Sequence, residues 1–432
     1  MLFPFVVLLG ACFAPIDVTL TSEATPAGGS EEETDQCGLE GDGSLAQAPE
    51  GAFIAQNGAV EAHREVCTTA MHATAGAIHS TLSITLTEWE AAAPATLYAT
   101  DLLGSPITEP VSVLEGEAVE VALTQSGEIL LHLEPSDLQT PANDYALAVE
   151  CVDGCESSFT RHPIVLMHGL GGSESFGELS YFYQVREVLE PEGYALVSPS
   201  VSPFSTTEAR GDEWDVHFQQ LVDEGVGRKF NLIGHSQAGL DARYLVSVLE
   251  RSGWVASITS IGTPHHGTPI ADLITGAIEL ELVDEYWIDF GADIFVDLFG
   301  LTGDDNSLVE SMGALTTDTL ETFNAAVLDH EEVYYASWAG VTCGVLDFSC
   351  QDACGGETVD PAMAISNLIL ELYGDENDGL VITESAVWGE YRGEICADHA
   401  DQVGLFGDTA TDAFDHLAFY RDEFRRLAEL GF

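Results

Sequence analysis

The chain has 432 residues, 46% of them hydrophobic, and carries 73 acidic against 12 basic side chains, a formal net charge of −61. That length and apolar content allow a large core and two or more domains. The charge excludes a nucleic-acid binder, which needs a cationic surface to displace counterions, and it opposes contact with anionic membranes. It also destabilises the compact state by self-repulsion unless cations screen it, which points to a saline habitat.

Residues 1–12 read as a signal segment, apolar over 1–9 but too short to span a membrane as a stable helix. They end in Leu9-Gly10-Ala11-Cys12, which resembles a bacterial lipoprotein processing site, although the usual basic n-region is missing. The expectation is a secreted protein, or an outer-surface lipoprotein if Cys12 is acylated. Setting Cys12 aside leaves eight of the nine cysteines, an even set suited to disulfides in an oxidising compartment. Pairing is expected within Cys37, Cys67, Cys151 and Cys155 and within Cys343, Cys350, Cys354 and Cys396, with partners open. Zinc is disfavoured, because Cys151-x-x-x-Cys155 lacks a matching second pair.

Residues 13–50, rich in Thr, Ser, Glu, Gly and Pro around Glu31-Glu32-Glu33, read as an acidic disordered linker. Over 51–157, period-two alternation recurs at Leu82-Ile84-Leu86, Val119-Val121-Leu123, Ile129-Leu131-Leu133 and Tyr145-Leu147-Val149. Such short strands, with turns like Gln125-Ser126-Gly127, predict a small antiparallel β-sandwich whose role is attachment, substrate targeting or plain spacing. Over 158–432, apolar strands alternate with helical stretches, which predicts an α/β domain with a mainly parallel central sheet.

The α/β part carries the chemistry. The apolar run 230–233 leads into Gly234-His235-Ser236-Gln237-Ala238 and then an amphipathic helix, the setting of a nucleophile elbow, where small neighbours let a strained serine lift its Oγ clear of the sheet. Ala238 stands where G-x-S-x-G has its second glycine; a methyl there loses access to positive φ and tightens helix–strand packing. Upstream, the continuous apolar run 163–167, as for a strand buried on both faces, ends in His168-Gly169-Leu170-Gly171-Gly172. That loop can aim main-chain N–H groups inward, making Leu170 and Gln237 the expected oxyanion donors. A serine hydroxyl needs a base, and the base a carboxylate. Asn377-Asp378-Gly379 and Asp398-His399-Ala400-Asp401 offer both downstream, in the hydrolase order Ser236, Asp378, His399. With 13 histidines and 73 acids available, the order alone proves little; His235 is expected to pack around the elbow, and His265 and His266 to shape their own loop.

With the elbow and the His168-Gly169 loop, the strings Glu208-Ala209-Arg210-Gly211, Gly262-Thr263-Pro264-His265-His266-Gly267, Tyr335-Ala336-Ser337-Trp338-Ala339-Gly340, Asn377-Asp378-Gly379-Leu380-Val381 and His399-Ala400-Asp401 stand in one order. Together, over 161–432, they resemble the secreted, calcium-dependent bacterial triacylglycerol lipases of the Pseudomonas type, within the α/β-hydrolase superfamily. The resemblance implies a serine ester hydrolase with nucleophile Ser236, general base and acid His399, and orienting carboxylate Asp378. It implies one structural Ca²⁺ on the Asp360 and Asp401 carboxylates and the Leu405 and Thr409 carbonyls; apart from the resemblance, both acids read as ordinary solvated side chains. It also implies a lid over the site, for which the apolar stretch 274–301 reads equally as a buried helix pair, and a partner foldase. Where the family has a cysteine six residues beyond the catalytic aspartate, this chain has Glu384. The expected substrate is a triacylglycerol or long-chain ester met at an interface by a monomer working through an acyl-enzyme. The same triad on a phospholipid, a polyester or a short soluble ester is the alternative. A surface binding protein on a hydrolase scaffold is the non-enzyme alternative, which the intact Ser236, Asp378 and His399 oppose.

Overall fold

The computed structural model describes residues 59–63, 70–89, 93–135, 145–172, 175–176, 179–279, 305–343, 359–373, 376–405 and 414–432. The signal segment, the linker, Thr409 and positions 280–301 of the expected lid lie outside the described residues.

Eight antiparallel strands come first: β1 Ala59–His63, β2 Ala70–Gly76, β3 Thr81–Trp89, β4 Ala95–Thr100, β5 Val111–Val113, β6 Ala118–Ala122, β7 Gly127–Pro135 and β8 Tyr145–Asp153. They form two four-stranded sheets, β1-β8-β3-β6 and β2-β7-β4-β5. Alternation drives the packing. Leu82, Ile84 and Leu86 of β3 meet Ile129, Leu131 and Leu133 of β7 in one apolar core, together with Leu97 and Leu147. All four alternating runs read from the sequence are strands; β2 and β4, whose buried positions include Ala73, Ala75, Ala95 and Ala99, carry too weak a contrast to be read. A disulfide joins Cys151 of β8 to Cys155 just past the end of that strand, and Cys343 and Cys396 are also disulfide-bonded.

A six-stranded parallel sheet follows, built from β9 Ile164–Met167, β12 Leu196–Val197, β13 Phe230–His235, β14 Val255–Ile261, β15 Tyr334–Val341 and β16 Glu390–Cys396 in the order β12-β9-β13-β14-β15-β16. A two-stranded hairpin, β10 Ser175–Phe176 and β11 Leu179–Ser180, lies between the first two in sequence. The unbroken apolar character of β9 has a simple cause: its alternate residues serve two cores. Ile164 and Leu166 pack with helices α1 Val185–Leu189 and α8 His416–Glu429, whereas Val165 and Met167 pack with α2 Thr207–Asp223 and α3 Ala238–Ser247. On α8, Tyr420, Phe424 and Leu427 are fully buried, and Phe414 precedes the helix. The helices α4 Pro269–Glu279, α5 Asp305–Gly313, α6 Thr317–Ala326 and α7 Ala364–Tyr373 build a third core over the carboxyl ends of the strands, with Leu170, Ile270, Ile274, Met312 and Leu370. Sandwich and α/β region meet at a buried carboxylate: Glu128 of β7 accepts from Arg161 Nε at 2.9 Å and from Arg228 Nη2 at 3.0 Å.

Candidate active site

The carboxyl ends of the parallel strands converge, as sites in such sheets do. Strand β13 ends at His235, and α3 begins at Ala238, so the chain must reverse within Ser236 and Gln237. Ser236 does this with φ of 57°, the left-handed strain of an elbow. Gln237 is already right-handed, and Ala238 is the first helical residue. The second small position of the motif therefore needs no positive φ here, and a methyl group fits.

On β9, the loop begins with His168, whose Nε2 accepts from Val201 N–H at 3.1 Å, leaving Nδ1–H to donate to Gly169 O at 3.0 Å. Burial, reinforced by nearby Arg210, pushes His168 down to about 3, so this arrangement is held by a neutral ring. Arg210 of α2, itself fully buried, donates to His168 O at 2.5 Å, Ser202 O at 2.7 Å and Asp241 Oδ2 at 2.8 Å. The guanidinium thus ties the glycine loop to α3, which starts at the elbow. Burial raises Asp241 to about 6 despite Arg210 beside it. The Leu170 and Gln237 amides have no hydrogen-bond acceptor among the described residues, and both follow residues that border the Ser236 turn.

Strand β15 leads toward Asp378, whose loop is fastened by Thr342 N–H donating to Asn377 O at 3.0 Å. Strand β16 leads to His399. His399 Nδ1 meets Asp378 Oδ2 at 2.8 Å, and the His399 N–H donates to Asp378 O, also at 2.8 Å. Asp378 Oδ1 accepts from Val381 N at 2.7 Å and Leu380 N at 3.0 Å, while Gln402 Nε2 donates to Oδ2 at 2.7 Å. An acceptor-only carboxylate fixes the ring: Nδ1 carries the proton and Nε2 is left as an acceptor.

Ser236 and His399 open on one cavity of about 520 Å³, mouth included, lined otherwise by Leu170, Pro264, Thr268, Ile270, Ile274, Met312, Leu315, Leu380 and Val381. Thr268 spends its hydroxyl on Leu380 O at 2.6 Å, so the wall is apolar in effect. Of the expected lid, Ile274 lies on α4 and lines this cavity.

The remaining histidines behave as packing groups. His235 lies with its ring 4.5 Å from that of His399, and its Nδ1 meets Tyr181 OH at 2.7 Å; burial holds it far below the usual histidine range. His265 Nε2 meets Ser260 Oγ at 2.8 Å, and His266 leans on Trp388. Two residues with direct hold on the site had no role in the sequence reading: Gln402 was not singled out, and Arg210 stood only as part of a shared string.

Asp360 and Asp401 both lie beside Asp398. Asp360 N–H donates to Asp398 Oδ2 at 2.7 Å, and the Ala400 and Asp401 amides donate to Oδ1 at 2.9 and 2.8 Å. Burial, then the Asp401 charge, raises Asp398 to about 7. Among the described residues no group of three or more His, Cys, Asp or Glu side chains is arranged to hold a metal.

The family model for palmitoyl protein thioesterase matches residues 163–290, the segment bearing the glycine loop and the elbow. A triacylglycerol lipase of Vibrio cholerae is 31% identical over 291 residues, covering 63% of this chain and 89% of its own length. A triacylglycerol lipase of Pseudomonas fragi is 27% identical, covering 64% of this chain and 99% of its own. Among solved structures, the Staphylococcus hyicus lipase aligns with 18% identity over 62% of this chain and 96% of that one, at a TM-score of 0.44. The parallel sheet, the order of the motif residues along it and the Vibrio relative together make the chain a member of the triacylglycerol lipase family of α/β-hydrolases, a carboxylic ester hydrolase.

Proposed function

We propose that this protein cleaves triacylglycerols or other long-chain carboxylic esters through an acyl-enzyme, with Ser236 as nucleophile, His399 as base and acid, and Asp378 as the carboxylate that orients and balances the imidazole. The observation that carries the reading is the meeting of a strained serine and a carboxylate-bound histidine on one apolar cavity. An acyl chain in that cavity is surrounded by aliphatic side chains while its carbonyl lies at Ser236. Ser236 Oγ attacks the carbonyl carbon as His399 Nε2 takes its proton, and the oxyanion receives the Leu170 and Gln237 amides, each such donor being worth roughly 3 kcal/mol in the transition state. The tetrahedral intermediate collapses, His399 returns the proton to the leaving alcohol, and water then releases the fatty acid by the same steps.

Chromogenic long-chain esters and triolein emulsion are the test. Ser236→Ala is expected to abolish both activities while leaving the melting temperature in place; turnover surviving that change refutes the reading. Preference for a soluble butyrate ester over emulsion would move the substrate to the short-ester class. The match to palmitoyl protein thioesterases over the nucleophile segment favours one second reading, a long-chain acyl thioester, which shares the acyl half and differs in the leaving group.

The reading includes one structural Ca²⁺ held by Asp360 and Asp401, with the Leu405 carbonyl and, outside the described residues, that of Thr409. The donor chemistry fits: the set is all oxygen, and Asp398 is a buried carboxylate whose charged neighbours are two more carboxylates. Bound there, the ion supplies positive charge to a loop that starts at the base. Export, anchoring through Cys12, a dedicated foldase and a monomeric state complete the proposal.

A further inference from the structure

Gln402 is fully buried in the short helical turn Asp401–Val403, three residues past His399. Its backbone is pinned at both ends: N–H donates to Asp398 O at 3.1 Å, and the carbonyl accepts from Tyr420 OH at 3.1 Å. Its carboxamide lies in a slot made by two glycines. A Cβ on Gly340 would stand 2.0 Å from Gln402 Nε2, and one on Gly262, where φ is +55°, would stand 2.2 Å from Oε1. The two glycines belong to different strand ends, after β14 and within β15, so the fold clears space from two sides for this one group.

The orientation of the amide is chemically determined. Asp378 offers only acceptors, so Nε2 must face it, and Oε1 then points the other way. Oε1 and His235 Nε2 are each buried without a hydrogen-bond partner, and Gln402 is among the groups acting on His235. With His235 Nδ1 accepting from Tyr181 OH, Nε2 carries the ring proton. Gln402 Nε2 and His399 Nδ1 meet on the same Asp378 oxygen.

We infer that Gln402 is a positioning residue for hydrolysis: its amide fixes the Asp378 carboxylate in the rotamer that aligns His399. The inference rests on the triad reading above. Without the amide, Oδ2 loses one of its two donors, and only the Leu380 and Val381 amides on Oδ1 still resist a turn of the buried carboxylate that would take the imidazole out of line with Ser236. Ionisable groups around the pair are His235 and Tyr181 on one side, Tyr420 from α8, and Asp398, Asp401 and Asp360 on the loop. No Lys or Arg side chain pairs with Asp378 among the described residues.

The test is kinetic, on the full chain, with the folded competent fraction counted by active-site titration with a phosphonate. Gln402→Met keeps length and shape but has no N–H donor; Gln402→Asn keeps the amide but falls one methylene short of Oδ2. Both are expected to lower kcat about tenfold, the scale of a hydrogen bond to a charged group, with KM within twofold of the parent. In an Asp378→Asn background, adding Gln402→Met is expected to change kcat less than twofold, because the carboxylate it served is gone. Wild-type kcat in both single variants overturns the inference, as does an equal tenfold loss in the two backgrounds, which would show the amide acting elsewhere. If Ser236→Ala and Asp378→Asn leave hydrolysis untouched, the triad reading itself has failed, and the two failures are told apart.

Discussion

Arg210→Met removes a guanidinium that is fully buried and makes three hydrogen bonds, to Asp241 and to the carbonyls of His168 and Ser202. Deleting one partner of a buried ion pair costs about 3–5 kcal/mol when the other charge stays. Asp241 limits that cost: already raised to about 6 with its cation in place, it takes up a proton once the cation is gone. The expected loss at pH 8 is therefore about 3 kcal/mol, near the lower end, or roughly 6–12 °C in melting temperature for a domain of this size. Removing both partners, Arg210→Met with Asp241→Leu, is expected to recover most of the stability, because no uncompensated charge remains. Catalysis is expected to part from stability here. The His168 carbonyl still lacks its anchor, so the Leu170 amide sits less accurately against the oxyanion, and kcat stays down by roughly tenfold to a hundredfold in single and double variants alike. Differential scanning calorimetry and kcat on a soluble chromogenic ester separate the two. A double variant that regains stability and full kcat together refutes the argument, since Arg210 would then serve only to balance Asp241.

Chelation is expected to lower the melting temperature in the parent, with Asp360→Ala and Asp401→Ala lowering it further than they alter the acylation rate; indifference of melting to EDTA counts against the site. The net charge of −61 predicts that melting temperature climbs between low salt and molar NaCl, and a flat profile rejects salt adaptation. His162 and His168 are both buried, which lowers them to about 4 and about 3. A folded pKa below the unfolded one means the unfolded state binds the proton first, so their contribution is whole above pH 6.5 and drains away as pH falls from there toward 4. His162→Asn is expected to make the acid-side decline of melting temperature shallower; an unchanged profile refutes that assignment.

The nucleophile elbow, the glycine loop and the carboxylate–histidine pair were legible because each sits at the end of an apolar strand, where a polar or glycine-rich string stands out against its surroundings. The strands themselves were legible for the same reason, through Leu82, Ile84 and Leu86 or the unbroken run ending at Met167. What stayed hidden works at long range. Nothing local to Gln402 marks it, since its neighbours in space are glycines from two other strand ends. The strings ending Trp338-Ala339-Gly340 and beginning Gly262-Thr263-Pro264 were noticed for their likeness to a family, but their physical reason is the room they leave for that amide. On the last helix, Arg421 pairs with Glu192 and Arg426 with buried Glu423, contacts of 2.7 Å or less that outweigh a diffuse helix field.

Charge and catalysis are coupled through the loop that runs from Asp398 to Leu405. Within five residues it carries two acids, the proposed base and the amide proposed to steady its carboxylate, and its turn is closed by Asp398 accepting the Ala400 and Asp401 amides. Those hydrogen bonds are strongest with Asp398 ionised, yet burial and the Asp401 charge both oppose ionisation there. A cation on Asp360 and Asp401 would remove the second opposition without touching the hydrogen bonds. Cation binding and the closing of the His399 turn are thus expected to reinforce one another, and general screening by salt to substitute only in part, because ions in bulk screen a buried charge poorly. NaCl should raise the melting temperature of the parent and of Asp401→Ala by similar amounts while leaving the gap between them. If molar salt closes that gap, the loop feels only the overall charge of the molecule, and no specific cation site need be invoked.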